Sequence, residues 1–209
     1  MSVNDKQLGM ALIVSGPSGA GKTSICQKVR HEMGDVAFSV SCTTRPPRSG
    51  EIDGKDYFFL SREQFEKKIS QNQFIEFAEV FGNYYGTLKS EVLDRTRCGR
   101  DVFLDIDIQG AMQIREASVN DPELAKCTEF VFIVPPSRQE LERRLRGRQS
   151  DSEEQICKRL EKSSYEIKFW KKYDYILINN ELEDSVCRLC NLIQSLRSAS
   201  KRMPEDLFK

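Results

Sequence analysis

Gly16-Pro17-Ser18-Gly19-Ala20-Gly21-Lys22-Thr23 has residue types and spacing suited to holding a polyphosphate. The apolar run Met10 to Ser15 precedes it and reads as a buried strand, and Ser24 to Glu32 follows with Ile25 and Val29 one helical turn apart. Strand, glycine loop and helix in that order form the context of a phosphate loop of the type G-x-x-x-x-G-K-[ST]. The glycines let backbone N–H groups converge on an anion without an intervening Cβ. The helix beginning near Lys22 turns its unsatisfied N–H groups and positive dipole end toward the same anion. The Lys22 ammonium is expected on the β and γ phosphates of a nucleoside triphosphate, and the Thr23 hydroxyl on a bridging Mg²⁺.

Three further groups could take part. Arg45 and Arg48 lie three apart on the proline-stiffened stretch Thr43 to Asp56. A guanidinium fork binds phosphate oxygens bidentately, so the pair suits a second phosphate-bearing substrate; solvated surface arginines are the alternative. Asp105 and Asp107 end the apolar run Asp101 to Asp107. Two acids in one strand with one residue between them point the same way and can hold Mg²⁺; a simple strand-end turn is the alternative. Arg143, Arg144, Arg146, Arg148 and Arg159 surround a short polar break, from which Arg148 and Arg159 could close over a nucleotide and exclude water.

The elements that must position these groups alternate. After the first strand and helix come a strand candidate at Val36–Cys42, a turn-rich stretch, and a strand at Tyr57–Leu60. A helix over Arg62–Ser70 capped by Ser61 follows, then a strand at Phe74–Phe81 and a turn at Gly82-Asn83. A helix over Lys89–Arg97 comes next, and the region of about 42–88 before it reads as a small mixed unit inserted after the second strand. Strands at 101–107, 129–134 and 173–178 then alternate with helices at 109–117, 138–146, 153–170 and 182–196, and the tail from Ser198 is expected to be loose. This pattern predicts an α/β fold with a parallel sheet covered by helices, its ligands at the carboxyl ends of the strands.

The chain has 209 residues, 39% hydrophobic and 31% charged, with 32 basic and 32 acidic side chains. One sizeable domain is expected, without general attraction to nucleic acid or membrane. The polar first nine residues do not read as a signal peptide, and seven scattered cysteines suggest neither a disulfide framework nor a zinc site, so a reduced cytoplasmic protein is expected. Cys187 and Cys190 read as structural, and the single histidine, His31, as a surface residue at a helix end.

The ordered series resembles the guanylate kinase family from about Ala11 to Leu196. Its most specific parts are the phosphate loop, Ser41-Cys42-Thr43-Thr44-Arg45-Pro46-Pro47-Arg48-Ser49-Gly50-Glu51, Gly54-Lys55-Asp56-Tyr57, Phe74-Ile75-Glu76, Asn83-Tyr84-Tyr85-Gly86-Thr87 and Leu104-Asp105-Ile106-Asp107-Gln109-Gly110. The resemblance implies an ATP:GMP phosphotransferase in one three-part domain: a core at about 10–41, 88–146 and 171–197, a GMP-binding insertion at about 42–87, and a lid at about 147–170. It implies that Ser41, Arg45, Arg48, Tyr57 and Tyr85 hold the GMP phosphate, and that Glu76, Thr87 and Asp105 read guanine. Gly16, Pro17, Ser18, Gly19, Ala20, Gly21, Lys22 and Thr23 would bind ATP, with Asn179 near adenine. Thr23 and Asp107 would hold Mg²⁺, and Lys22, Arg45, Arg48, Arg148 and Arg159 would surround the transferring phosphoryl group. The chain departs from the family's usual residues at Thr87, Gln149 and Asn180. No nucleic-acid or membrane partner is implied, and the state is monomer or homodimer. Two other readings remain at this point: a binding module that uses the GMP pocket for a phosphorylated partner, and a kinase for AMP or dTMP. The intact phosphate loop and arginines weigh against the first, and Glu76, Thr87 and Asp105 against the second.

Overall fold

Ala11–Ser15 forms β1, the central strand of a five-stranded sheet, in a computed structural model that describes residues 7–147 and 152–204. The order is β2 (Ala37–Phe38), β7 (Val102–Asp105), β1, β8 (Thr128–Val134) and β9 (Tyr175–Ile178), and every pairing is parallel. A parallel strand covered on both faces has no polar side, which is why β1 is apolar almost throughout. Its alternating side chains serve two cores. Leu12 and Val14 pack with Val131 and Ile133 beneath α1 (Lys22–Glu32) and α8 (Leu182–Arg197). Ala11 and Ile13 pack with Phe130 and Phe132 against α4 (Ile108–Asn120) and α3 (Lys89–Arg97).

The second sheet has the order β4 (Phe58–Phe59), β3 (Cys42–Thr43), β6 (Asn83–Leu88), β5 (Phe74–Val80). Its small core stacks Phe65, from α2 (Arg62–Ser70), on Phe74 at 4.2 Å and on Tyr84 at 5.1 Å. α2 has the predicted bounds because Ser61 and Gln64 form a reciprocal capping box.

Several expectations are corrected. The strand candidate Val36–Cys42 is two strands in different sheets, β2 and β3, with Ser39 to Ser41 carrying the chain between them. The hairpin turn lies at Phe81-Gly82, one residue earlier than predicted: both have positive φ, 50° and 79°, and Asn83 already pairs with Val80. The short helix α5 (Pro122–Cys127) was not predicted, although Asp121 caps it and Pro122 opens it. α6 (Arg138–Arg146) follows Ser137 as expected, but α7 (Glu153–Ile167) gives way to a 3₁₀ turn at Lys168–Lys172 before Trp170 is passed. The tail is not loose throughout. Ser200–Arg202 forms a 3₁₀ turn, and Arg202 is buried and pairs with the buried Glu129 of β8 at 2.8 Å. A buried carboxylate needs such a partner, and no local pattern announces it.

Candidate active site

The phosphate loop leaves the carboxyl end of β1 and enters α1, whose first residue is Lys22, where the sequence places the start of the helix. Gly19 and Gly21 take φ of 89° and 86°, conformations open to glycine. A Cβ on Gly21 would lie 2.3 Å from the Asn179 amide nitrogen, so the loop and the turn after β9 fit only without one. No acidic side chain stands in the first turn of α1, which leaves its N-terminal N–H groups favourable to an anion.

Asn179, which the resemblance implies lies near adenine, directly follows β9. It is buried; its amide donates to Ala20 O at 2.7 Å and accepts from Ser185 Oγ at 2.9 Å. It braces the phosphate loop against α8. Arg144, which sequence reasoning did not single out, braces the same turn by donating to Asn179 O at 3.0 Å and Asn180 O at 3.2 Å. From the other side, Ser163 of α7 donates to Ser18 O at 3.2 Å.

Lys22 pairs with Asp105, at the end of the neighbouring strand β7, and lies 3.3 Å from Ile106 O. Val14 and Asp105 are partners in the β1–β7 ladder, so the loop and this carboxylate are adjacent by topology. Asp107 is not in the strand. β7 ends at Asp105, and Asp107 caps α4 through Gly110 N at 2.9 Å. The alternation argument for two acids on one face therefore does not apply, although both are exposed at the same strand end.

The second sheet supplies the facing wall. A bulge in β5 at Ile75 turns that side chain into the main core while Phe74 stays in the small core. It leaves Glu76 opposite Thr87, buried, at the floor of a cleft. Bulges re-aim side chains in this way. Burial pushes the Glu76 carboxyl above the usual carboxylate range, and bonding from Thr87 opposes this in part. Thr87 itself is fully buried, and its hydroxyl lies 3.4 Å from that of Ser41. It stands behind Glu76 instead of lining the cavity.

Arg45 is held as a fork. Two of its nitrogens donate to Glu51 at 2.8 and 2.9 Å, and the guanidinium carbon lies 5.3 Å from the Tyr57 ring centre. Glu51 also accepts from Arg48 N at 2.7 Å, and these bonds hold its carboxyl down to about 2. Tyr57 and Tyr85 meet edge to face at 6.2 Å. Nothing in the sequence around Glu51 announces this role. The Arg48 side chain is exposed beside the pair, Arg159 is half-buried on α7, and Arg148 lies outside the described residues.

Ser41, Tyr57, Glu76, Tyr85, Asp105 and Asp107 line one cavity of about 280 Å³. A larger cavity of about 660 Å³ opens at the amino ends of the strands, among Gln7, Asp35, Arg100 and Arg197, away from the predicted residues. The smaller one is the site the chemistry marks. It holds a buried acceptor, Glu76, near the carboxyl ends of parallel strands, and two of its lining residues adjoin cations outside it: Tyr57 lies beside Arg45, and Asp105 pairs with Lys22 of the phosphate loop. Among the described residues no three His, Cys, Asp or Glu side chains cluster to hold a metal, and no helix is long and apolar enough to cross a membrane.

The family model described as guanylate kinase matches residues 9–196. The chain is 46% identical over 188 residues to guanylate kinase of Fusobacterium nucleatum, covering 90% of this chain and 97% of that protein. It is 42% identical over 199 residues to guanylate kinase of Thermotoga maritima, covering 95% and 93%. The crystal structure of guanylate kinase from Anaplasma phagocytophilum matches with a TM-score of 0.71 at 34% identity, covering 94% of this chain and 90% of that one.

Proposed function

The chain belongs to the guanylate kinase family and transfers the γ-phosphoryl group of ATP to GMP, giving ADP and GDP; we propose that its residues divide this work between two facing walls. The observation that carries this reading is the single cavity in which Ser41, Tyr57, Glu76, Tyr85 and Asp105 meet beside the phosphate loop.

On the ATP wall, Gly16 to Thr23 hold the phosphates, and Asn179 serves by bracing the loop. On the GMP wall, Ser41, Arg45, Arg48, Tyr57 and Tyr85 hold the monophosphate, with Glu51 keeping the Arg45 fork aimed. Guanine presents N1–H and the N2 amino group side by side, two donors. Glu76 accepts from both, with Thr87 acting through Glu76 and Asp105 completing the edge. Adenine has a lone pair at N1, which leaves the buried carboxylate facing an acceptor; such mismatches can discriminate by ~10⁴.

The acceptor phosphate is already a nucleophile near neutral pH, so no general base is needed. The protein aligns donor and acceptor, neutralises charge and excludes water. Lys22, Arg45, Arg48, Arg148 and Arg159 supply the positive charge, the last two from the lid at about 147–170. The donor set suits Mg²⁺: the Thr23 hydroxyl is exposed in the first turn of α1, and Asp107 keeps a carboxylate oxygen beyond the one that caps Gly110. So sparse a set fits an ion that retains waters and phosphate ligands and that, when bound, neutralises charge on the transferring group. The core, GMP-binding and lid parts are proposed to move as units, in a cytoplasmic monomer or homodimer without nucleic-acid or membrane partners.

Arg48→Ala is expected to raise the KM for GMP by about 10- to 100-fold, the loss of a charge-assisted phosphate contact, and to leave the KM for ATP within about twofold. Steady-state ADP release with each substrate varied in turn measures both. Equal rises in the two constants would contradict the two-wall division.

A further inference from the structure

Gln113 lies on α4, a helix of the core, yet its side chain is spent on the other sheet. Its carbonyl oxygen accepts from Phe77 N–H at 3.0 Å, and its amide nitrogen donates to Phe77 C=O at 2.9 Å. β5 is the last strand of its sheet, so one edge of its backbone has no neighbouring strand. Gln113 occupies part of that edge as a strand would, with a donor and an acceptor set side by side. A carboxamide is the side-chain group that offers both in the spacing of a peptide.

The residue so fixed is the neighbour of Glu76. One turn earlier on α4, Gly110 faces the Glu76 side chain directly: a Cβ built there would lie 2.8 Å from Glu76 Oε2. The two α4 positions are three apart and share a face. Gly110 leaves the space that the carboxylate fills, and Gln113 sets how far the adjoining backbone stands from the helix. Asp107, which caps the same helix through Gly110 N at 2.9 Å, fixes the start of that face.

We propose that Gln113 is a positioning residue for base selectivity, holding β5 against α4 so that both oxygens of the Glu76 carboxylate reach the two donors of guanine. The proposal rests on the assignment of Glu76 as the base-reading group. If the Phe77 backbone drifts from α4, the carboxylate can still reach one donor by rotating, but not two. The loss therefore falls on the contact to the N2 amino group.

The test compares GMP with IMP, whose hypoxanthine keeps N1–H and lacks the N2 amino group. In the full chain, Gln113→Met keeps length and bulk and removes both bonds; Gln113→Glu keeps the acceptor and sets a carboxylate against the Phe77 carbonyl. Both are expected to lower the ratio of kcat/KM for GMP over IMP by about tenfold, as displacement of a positioned group by a fraction of an ångström does, with the KM for ATP unchanged. Circular dichroism melts confirm that each variant is folded under assay conditions. A ratio unchanged in Gln113→Met, while Glu76→Gln collapses it, would overturn the proposal and reduce Gln113 to packing between the two sheets. A ratio unchanged in Glu76→Gln would overturn the reading of Glu76 itself and this proposal with it.

Discussion

Lys22→Ala is expected to lower turnover by about 10³-fold, the scale of removing one preorganised charge from a phosphoryl-transfer site, while GMP affinity stays within about twofold. The ammonium leaves the first turn of α1, where it adjoins the phosphate loop. Its partner in the protein is Asp105, whose side chain is 29% exposed. Loss of an ion pair so open to solvent costs about 0–1 kcal/mol, so the variant remains folded. Asp105 is left free of its cation and available to the guanine edge, so GMP binding has no reason to weaken. ADP release gives the rate, and calorimetric titration with GMP gives the affinity. A fall in GMP affinity as large as the fall in rate would mean that Lys22 belongs to both walls.

Glu76→Gln is expected to lower kcat/KM for GMP by about 10³-fold with the KM for ATP unchanged. The amide sets a donor against a guanine donor, and the lost charged bond with the unpaired group left behind is worth about 4 kcal/mol. The same change is expected to stabilise the fold. Burial raises the Glu76 carboxyl in the folded protein above its unfolded value, so ionisation opposes folding. Below the unfolded carboxylate range, near about pH 4, both states are protonated and the variant gains nothing. As pH rises through the unfolded and then the folded value, the wild type loses stability that glutamine retains. Thermal melts at pH 4 and pH 7 should therefore show the advantage of Gln only at the higher pH. A variant with unchanged GMP kinetics, or one less stable than wild type at pH 7, would remove Glu76 from the role given to it.

Both changes trade on features of unequal legibility. Lys22 was readable because its partners are sequential: an apolar strand, glycines and a helix within a short stretch carry the whole phosphate-loop signal. The same holds for α2, whose observed bounds Arg62–Ser70 match the reading from the Ser61 cap; α3 also has the expected bounds Lys89–Arg97, without a side-chain cap. Glu76 was legible only through resemblance. On its own it is one carboxylate in a strand, and what distinguishes it, the bulge at Ile75 and the space at Gly110, comes from elements distant in sequence. Val36–Cys42 failed as one strand because apolar content does not say which sheet a residue joins. Asp107 and Asn179 also have structural work that the sequence did not show: the first caps α4 and the second holds Ala20. Gln113 and Arg202 carried no signal, since a long-range polar pair has no period to detect.

One cavity is proposed to join ATP phosphates to a guanine-reading carboxylate. This is tested most directly by measuring ADP release from ATP and Mg²⁺ with GMP, AMP, dTMP and UMP offered separately. Release with GMP, exceeding each of the others by about 10⁴ in kcat/KM, is the predicted result, since each of the other bases leaves Glu76 with a mismatched or missing donor. Comparable release with AMP or with either pyrimidine nucleotide would contradict the account, because a buried carboxylate at that position could not be what reads the base.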